Sequence, residues 1–392
     1  MNRRPLHFVN FALLLLMTMM LAAAPPSGRP PRGPLERVEP RVYEIKFDVT
    51  LSTRYRRQQQ QQQQHVEQPV FALRDAPVMM PVILNGTYSR VDPNSLRGVI
   101  STVPGGPLNS IARRLDEGLP FHAHQMVMVI PEARVPSMHI STGYLVQSWS
   151  SRINEQVAQQ VPWPRDMEWP DEVQDGLRPQ MFIESDHQIF AETIARNGGD
   201  RLQTIPPYIA AKQIVRYVIQ NIQVSGLGVN RHEVGAVEGL RMQGALATVE
   251  EPPFIGSEHD LLCVCIAMLR AANIPARPVI GIEYTELKEK KLVSWGEFFL
   301  PDVGWVPFDP MSLRGRGVGQ MDERRPWRDF GTMGDLNRRI PLSYHFHPPV
   351  QAESPGSPAV WGWDPRPGPV PPYQQSISFD VMSRGAGRDD PR

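Results

Sequence analysis

Residues 256–281, GSEHDLLCVCIAMLRAANIPARPVIG, leave the chain little choice of architecture. A polar turn opens an apolar helix, the helix closes at Asn273, and a short strand follows Pro275. Such a helix has to be covered by other elements. Both cysteines of the chain, Cys263 and Cys265, lie inside it. Two positions apart on a helix, their side chains point in different directions and cannot form an ordinary disulfide. The fold must therefore hold without staples, through large cores. At 392 residues, 41% of them hydrophobic, the chain can build them.

The flanking sequence supplies the cover. Upstream, a helix is predicted over 206–224, starting at Pro206 and Pro207 and repeating Ala210, Ile214, Val218 and Ile222 as one buried stripe. A second helix is predicted over 236–249 and the third over 258–272. Downstream come strands ARPVIGIEY (276–284), LVSWGEFFL (292–300) and GWVPFDP (304–310). Helices followed by a sheet give an α+β arrangement.

The first 160 residues read differently. VYEIKFDVTL (42–51) alternates strictly, with Ile45, Phe47, Val49 and Leu51 on one face. Further strand-like pieces at 68–73, 77–84, 97–102, 125–131 and 137–149 predict an antiparallel, sandwich-like β-domain. The polyglutamine run Gln58–Gln64 has no apolar face and reads as a hairpin loop. The Pro- and Trp-rich stretch 161–180 reads as a linker that packs down. The tail from 348 is Pro-rich, with one possible returning strand at 376–382.

The N-terminus has the three parts of a secretory signal: Arg3 and Arg4, the apolar run 11–21, and the small residues 22–24. The chain is expected to be exported, periplasmic or extracellular, with no membrane attachment beyond the signal peptide. Formal net charge is zero and no basic stripe stands out, so nothing draws it to nucleic acid.

The order apolar helix, IPAR, strand, SWGEFFLP, GWVPFDP resembles the transglutaminase-like superfamily with its papain-like fold, over residues 206–345. With the patterns above, six segments are expected: a signal peptide (1–24), a Pro-rich linker (25–40), a β-rich domain (41–160), a Pro/Trp-rich linker (161–185), a transglutaminase-like domain (186–347) and a Pro-rich tail (348–392). The resemblance also implies a site. Active members carry a Cys at the start of the central helix, a His on the next strand and an Asp on the strand after. A helix N-terminus and an imidazolium stabilise a thiolate, and the carboxylate orients the imidazole. Carried over residue by residue, the nucleophile position falls on Glu258, the base on Val293 and the orienting acid on Asp309, with Asp260 matching an acidic residue two beyond the nucleophile.

Two of the three positions thus lack the needed chemistry. There is no histidine between His259 and His345, so no small shift restores the base. Cys263 lies more than a turn further in, where it reads as a small buried hydrophobe. Glu258 reads as a first-turn acid favoured by the helix dipole. The expected role is non-catalytic protein binding or scaffolding, with an unidentified protein or peptide partner. The alternative is an amide hydrolase or transferase using Cys263, or a rebuilt site of Glu258, His259 and Asp309; adjacent helix positions should make Glu258 and His259 diverge. HAH (122–124) and HFH (345–347) would each put two imidazoles on one strand face, but neither has a third ligand nearby. No metal or cofactor is called for.

Overall fold

The computed structural model describes residues 33–54, 69–103, 106–107, 113–117, 119–225, 229–230, 239–240, 242–285, 290–346 and 360–388. The segment expected to be a signal peptide, the polyglutamine run and His347 lie outside these. Residues Pro34–Arg392 form one compact unit. The architecture is mixed α and β, and its larger sheets are antiparallel throughout.

Five long strands come first: β1 (Leu35–Thr53), β2 (Phe71–Val82), β3 (Arg97–Val103), β4 (His124–Val135) and β5 (Ser137–Ile153). In β1, Tyr43, Ile45, Phe47, Val49 and Leu51 are buried while the residues between them are more open, the period-two pattern that the sequence predicts. The pieces at 68–73 and 77–84 are not two strands but the single strand β2. Strands β1 and β2 belong to different sheets, so the hairpin expected across the polyglutamine run does not exist.

Helices α1 (Gln188–Asn197), α2 (Pro207–Asn221), α3 (Ala245–Val249) and α4 (Glu258–Ala271) follow. Next come β6 (Ala276–Tyr284), β7 (Lys290–Leu300), β8 (Gly304–Phe308), the short α5 (Pro310–Gly315), β9 (Arg339–Ser343) and β10 (Tyr373–Ala386). Among the described residues of the helix predicted over 236–249, Ala245–Val249 are helical, as α3. Ahead of it, Gly239–Leu240 pairs with Val229–Asn230 as a two-stranded ribbon.

One sheet runs β10–β1–β5–β3 and a second is centred on β2 and β4. Their inward faces share a core that includes Phe47, Leu51, Val78, Met128 and Ile140. The returning strand in the tail is present, and it runs along β1 from Thr53↔Tyr373 to Arg41↔Ala386. Among the described elements, the last therefore pairs along the first. A third sheet, β8–β7–β6–β9, carries the helices. Helix α4 touches α1, α2, α3, α5, β6 and β7, which explains why it is apolar all round. The Pro/Trp segment packs down. Trp163 Nε1 donates to Ile205 O and Trp169 Nε1 to Asn273 O, both at 2.8 Å, and the two rings meet edge to face.

Among the described residues, no helix is long and apolar enough to cross a membrane. His122 sits in a 3-10 turn with φ of 55°, outside any strand, so it shares no strand face with His124. No three His, Cys, Asp or Glu side chains among the described residues stand close enough to hold a metal.

Candidate functional site at the start of helix α4

The first turn of α4 is defined by a reciprocal cap. Asp260 N–H donates to Ser257 Oγ (3.1 Å), while Ser257 N–H donates to Asp260 Oδ2 (2.8 Å). Asp260 Oδ1 also accepts from Gln243 N and Gly244 N, each at 2.9 Å. Its carboxylate is thus spent on holding the preceding loop and the helix start. Glu258 is the first helical residue, so it stands where the nucleophile position was expected along the chain.

Cys263 and Cys265 are both wholly buried. Burial pushes the Cys263 thiol well above its ordinary range, and the Asp260 and Glu184 carboxylates push it further. Burial does the same to Cys265. A thiol in this setting is neither ionised nor accessible, the two conditions for reaction.

Strand β7 brings its residues to the helix with alternating faces. Gly296 and Phe298 face the helices: a Cβ at Gly296 would press on Phe308 at 2.4 Å and on Leu262 of α4 at 3.1 Å. Val293, Trp295 and Glu297 belong to the other face. Val293 packs in a cluster with Val279, Trp295, Tyr88 and Ile83. Ser294, between them, meets α4: its Oγ lies 2.8 Å from Nδ1 of His259. The imidazole is 1% exposed at residue level, edge-on to Phe346 at 6.1 Å. Its other nitrogen, Nε2, lies 3.8 Å from Glu258 Oε1. The two neighbours were expected to diverge. A glutamate is long enough to reach back across its own turn, so the carboxylate and the ring meet after all. Sequence reasoning missed Ser294 entirely, because attention to the motif position at Val293 passed over the adjacent residue on the opposite face.

Asp309 caps α5. Its Oδ1 accepts from Ser312 N–H (2.9 Å) and its Oδ2 from Arg339 Nη1 (2.7 Å). The acid therefore holds a guanidinium from β9. The pairing of β8 with β7 ends at Phe308↔Gly296. Beyond it the chain turns into α5, so residues 293–295 of β7 pair on one side only among the described strands. That open edge lies beside the helix start.

The remaining motif residues have structural work. Arg277 of IPAR sits directly opposite Glu297 of the Trp-x-Glu motif. Arg277 Nε and Nη2 donate to Glu297 Oε2 at 2.9 and 2.6 Å, and Nη2 also reaches Thr87 Oγ1 at 2.8 Å. The guanidinium lies between the rings of Tyr344 (4.0 Å) and Trp305 (4.1 Å). These motif residues lock the sheet to the β-domain and take no direct part in the helix-side cluster.

Residues 200–310 match the model for the "Transglutaminase-like superfamily". Among curated proteins no similar sequence was found. Among solved structures the chain is similar to one from Cytophaga hutchinsonii described as a "Putative Cysteine Protease". Identity is 12%, the TM-score is 0.52, and the match covers 90% of this chain and 94% of the other. Fold, motif order and family model together make residues 200–310 a transglutaminase-like domain.

Proposed function

We propose that this is an exported protein whose transglutaminase-like domain has given up thiol catalysis and binds a protein or peptide partner. The observation that carries the reading is the occupant of the helix start. Glu258 stands there, and the only thiols are sealed inside the helix with their ionisation suppressed. Export rests on the N-terminal sequence pattern alone. A fold kept by structural motifs, with its open strand edge beside a helix N-terminus, supports a role in holding extended chain.

Two experiments test this. On glutamine- and peptide-based substrates, the wild type and a Cys263→Ser, Cys265→Ser double variant are expected to behave alike; thiol-dependent turnover would sink the reading. Immobilised wild-type protein should retain members of a random peptide library, and Glu258→Lys should alter the retained set. Failure to retain any peptide counts against the binding role.

A further inference from the structure

The first turn of α4 and the open edge of β7 bring together a hydroxyl, an imidazole and a carboxylate that nothing in the thiol scheme uses. We propose that Ser294, His259 and Glu258 form a hydroxyl-nucleophile site for the carbonyl of a carboxylic ester or amide. It goes beyond the binding reading, which stands or falls separately.

The geometry is ordered in the sense such chemistry needs. Ser294 Oγ lies 2.8 Å from Nδ1 of His259, inside hydrogen-bond reach for a general base. With Nδ1 accepting, the ring proton of the neutral imidazole is on Nε2. That nitrogen is the one near Glu258, 3.8 Å from Oε1. The distance is long for a hydrogen bond but places a negative charge beside the imidazolium that would form, and such contacts tighten once substrate is bound. The ring is held by burial and by Phe346. Ser294 itself is only half-buried, on the stretch of β7 that β8 leaves open. Asp260 does not compete for His259, because its oxygens are committed to Ser257, Gln243 and Gly244. The positive end of the helix dipole favours negative charge developing at this place.

The step balances with water as the only co-reactant. Ser294 Oγ bonds to the carbonyl carbon while its proton passes to His259 Nδ1. The bond from that carbon to the leaving oxygen or nitrogen breaks, and the leaving atom takes the proton from Nδ1. Water then gives a proton to Nδ1, adds to the acyl carbon and displaces Ser294 Oγ, which recovers the proton. Ser294 and His259 are the catalytic residues; Glu258 is a positioning residue.

A fluorophosphonate probe on the full chain tests this, with the modified residue located by mass. One label on Ser294 is expected. His259→Gln should slow labelling by about 10²-fold or more. Glu258→Gln should slow it by about tenfold and move the acid limb of its pH profile to lower pH, a shift that a structural role would not give. Ser294→Cys, which keeps a side chain of similar size beside His259, provides a second arm. Its thiol should alkylate faster with iodoacetamide than the same thiol in a His259→Gln background. Labelling elsewhere, or at Ser294 with an unchanged rate in His259→Gln, overturns the proposal. So do equal alkylation rates in the two Ser294→Cys proteins. No labelling in protein that still retains library peptides overturns the hydroxyl site and leaves the binding reading intact.

Discussion

The two faces of β7 use neighbouring residues for opposite purposes. On the face toward the β-domain, Glu297 is paired with Arg277, Arg277 is stacked between Trp305 and Tyr344, and the pair is almost entirely sealed from water. On the helix face, Ser294 and His259 form a polar pair at the edge of the core, beside a strand segment with one side unpaired. The first arrangement fixes two guanidinium nitrogens, two rings and a carboxylate in one geometry and leaves no room for a substrate. The second keeps a half-buried hydroxyl against an imidazole. The difference teaches where to look in such a domain. Here the most recognisable motif residues are locks, and the proposed hydroxyl site sits one residue away on the other side of the strand.

If the β-domain face is a lock, removing half of its ion pair should be the most damaging single change. Glu297→Ala leaves Arg277 buried without its carboxylate and is expected to cost about 3–5 kcal/mol in denaturant unfolding. Replacing both together, Glu297→Leu with Arg277→Met, should cost far less, because no uncompensated charge remains. A single change costing under about 1 kcal/mol would break the comparison outright.

The same side of the molecule carries a pH-sensitive group. His345 packs 5.5 Å from Phe121, and burial, then the Arg270 charge, lowers its pKa to about 4, opposed by Asp175. The unfolded chain binds this proton near pH 6.5, the folded one only near 4. The stability it contributes is therefore complete above about pH 6.5 and lost as pH falls toward 4, on the order of 3 kcal/mol. Unfolding followed against pH should show that decline, and His345→Gln should flatten it. An unchanged slope in the variant would assign the decline to other groups.

Asp309 stands between the two faces in consequence. Asp309→Ala removes the cap of α5 and one of the two carboxylates on Arg339, while Asp335 keeps its contact at 3.0 Å. A loss of about 2–3 kcal/mol is expected, and Asp309→Asn, which can still cap, should lose less. The helix face should be the most tolerant. Ser294→Ala deletes a single hydrogen bond to His259 and should cost about 1–2 kcal/mol of stability. A larger cost than that of Glu297→Ala would reverse the roles assigned to the two faces.

Much of this fold was legible in the sequence because its signals are periodic. Strict alternation marked β1, an apolar run bounded by a polar turn and Asn273 marked α4, and the alternating tail segment marked β10. What escaped was non-local. Two apolar stretches separated by Arg74, Asp75 and Ala76 merged into β2, because pairing with β4 carries the strand through the break. The stretch 236–249 had helical composition, yet Gly239–Leu240 found a strand partner at Val229–Asn230, which tertiary pairing decides and local propensity does not. At the site, linear spacing led to Glu258, Val293 and Asp309. That His259 reaches Ser294 depends on how α4 crosses β7, and Gly296, which lets Leu262 approach the strand, is its only local trace.

The central claim is that the fold persists without thiol chemistry, and the thiols themselves test it most directly. Native protein is treated with iodoacetamide between pH 6 and 9, and carbamidomethylation of Cys263 and Cys265 is counted by mass, with a denatured sample as the reference. The account predicts essentially no modification of either cysteine in the native protein and full modification of both after denaturation, since each is wholly buried with its pKa raised by that burial. Fast, stoichiometric modification of native Cys263 near neutral pH, slowed by denaturation or by Asp309→Ala, would contradict it and return the chain to the thiol enzymes.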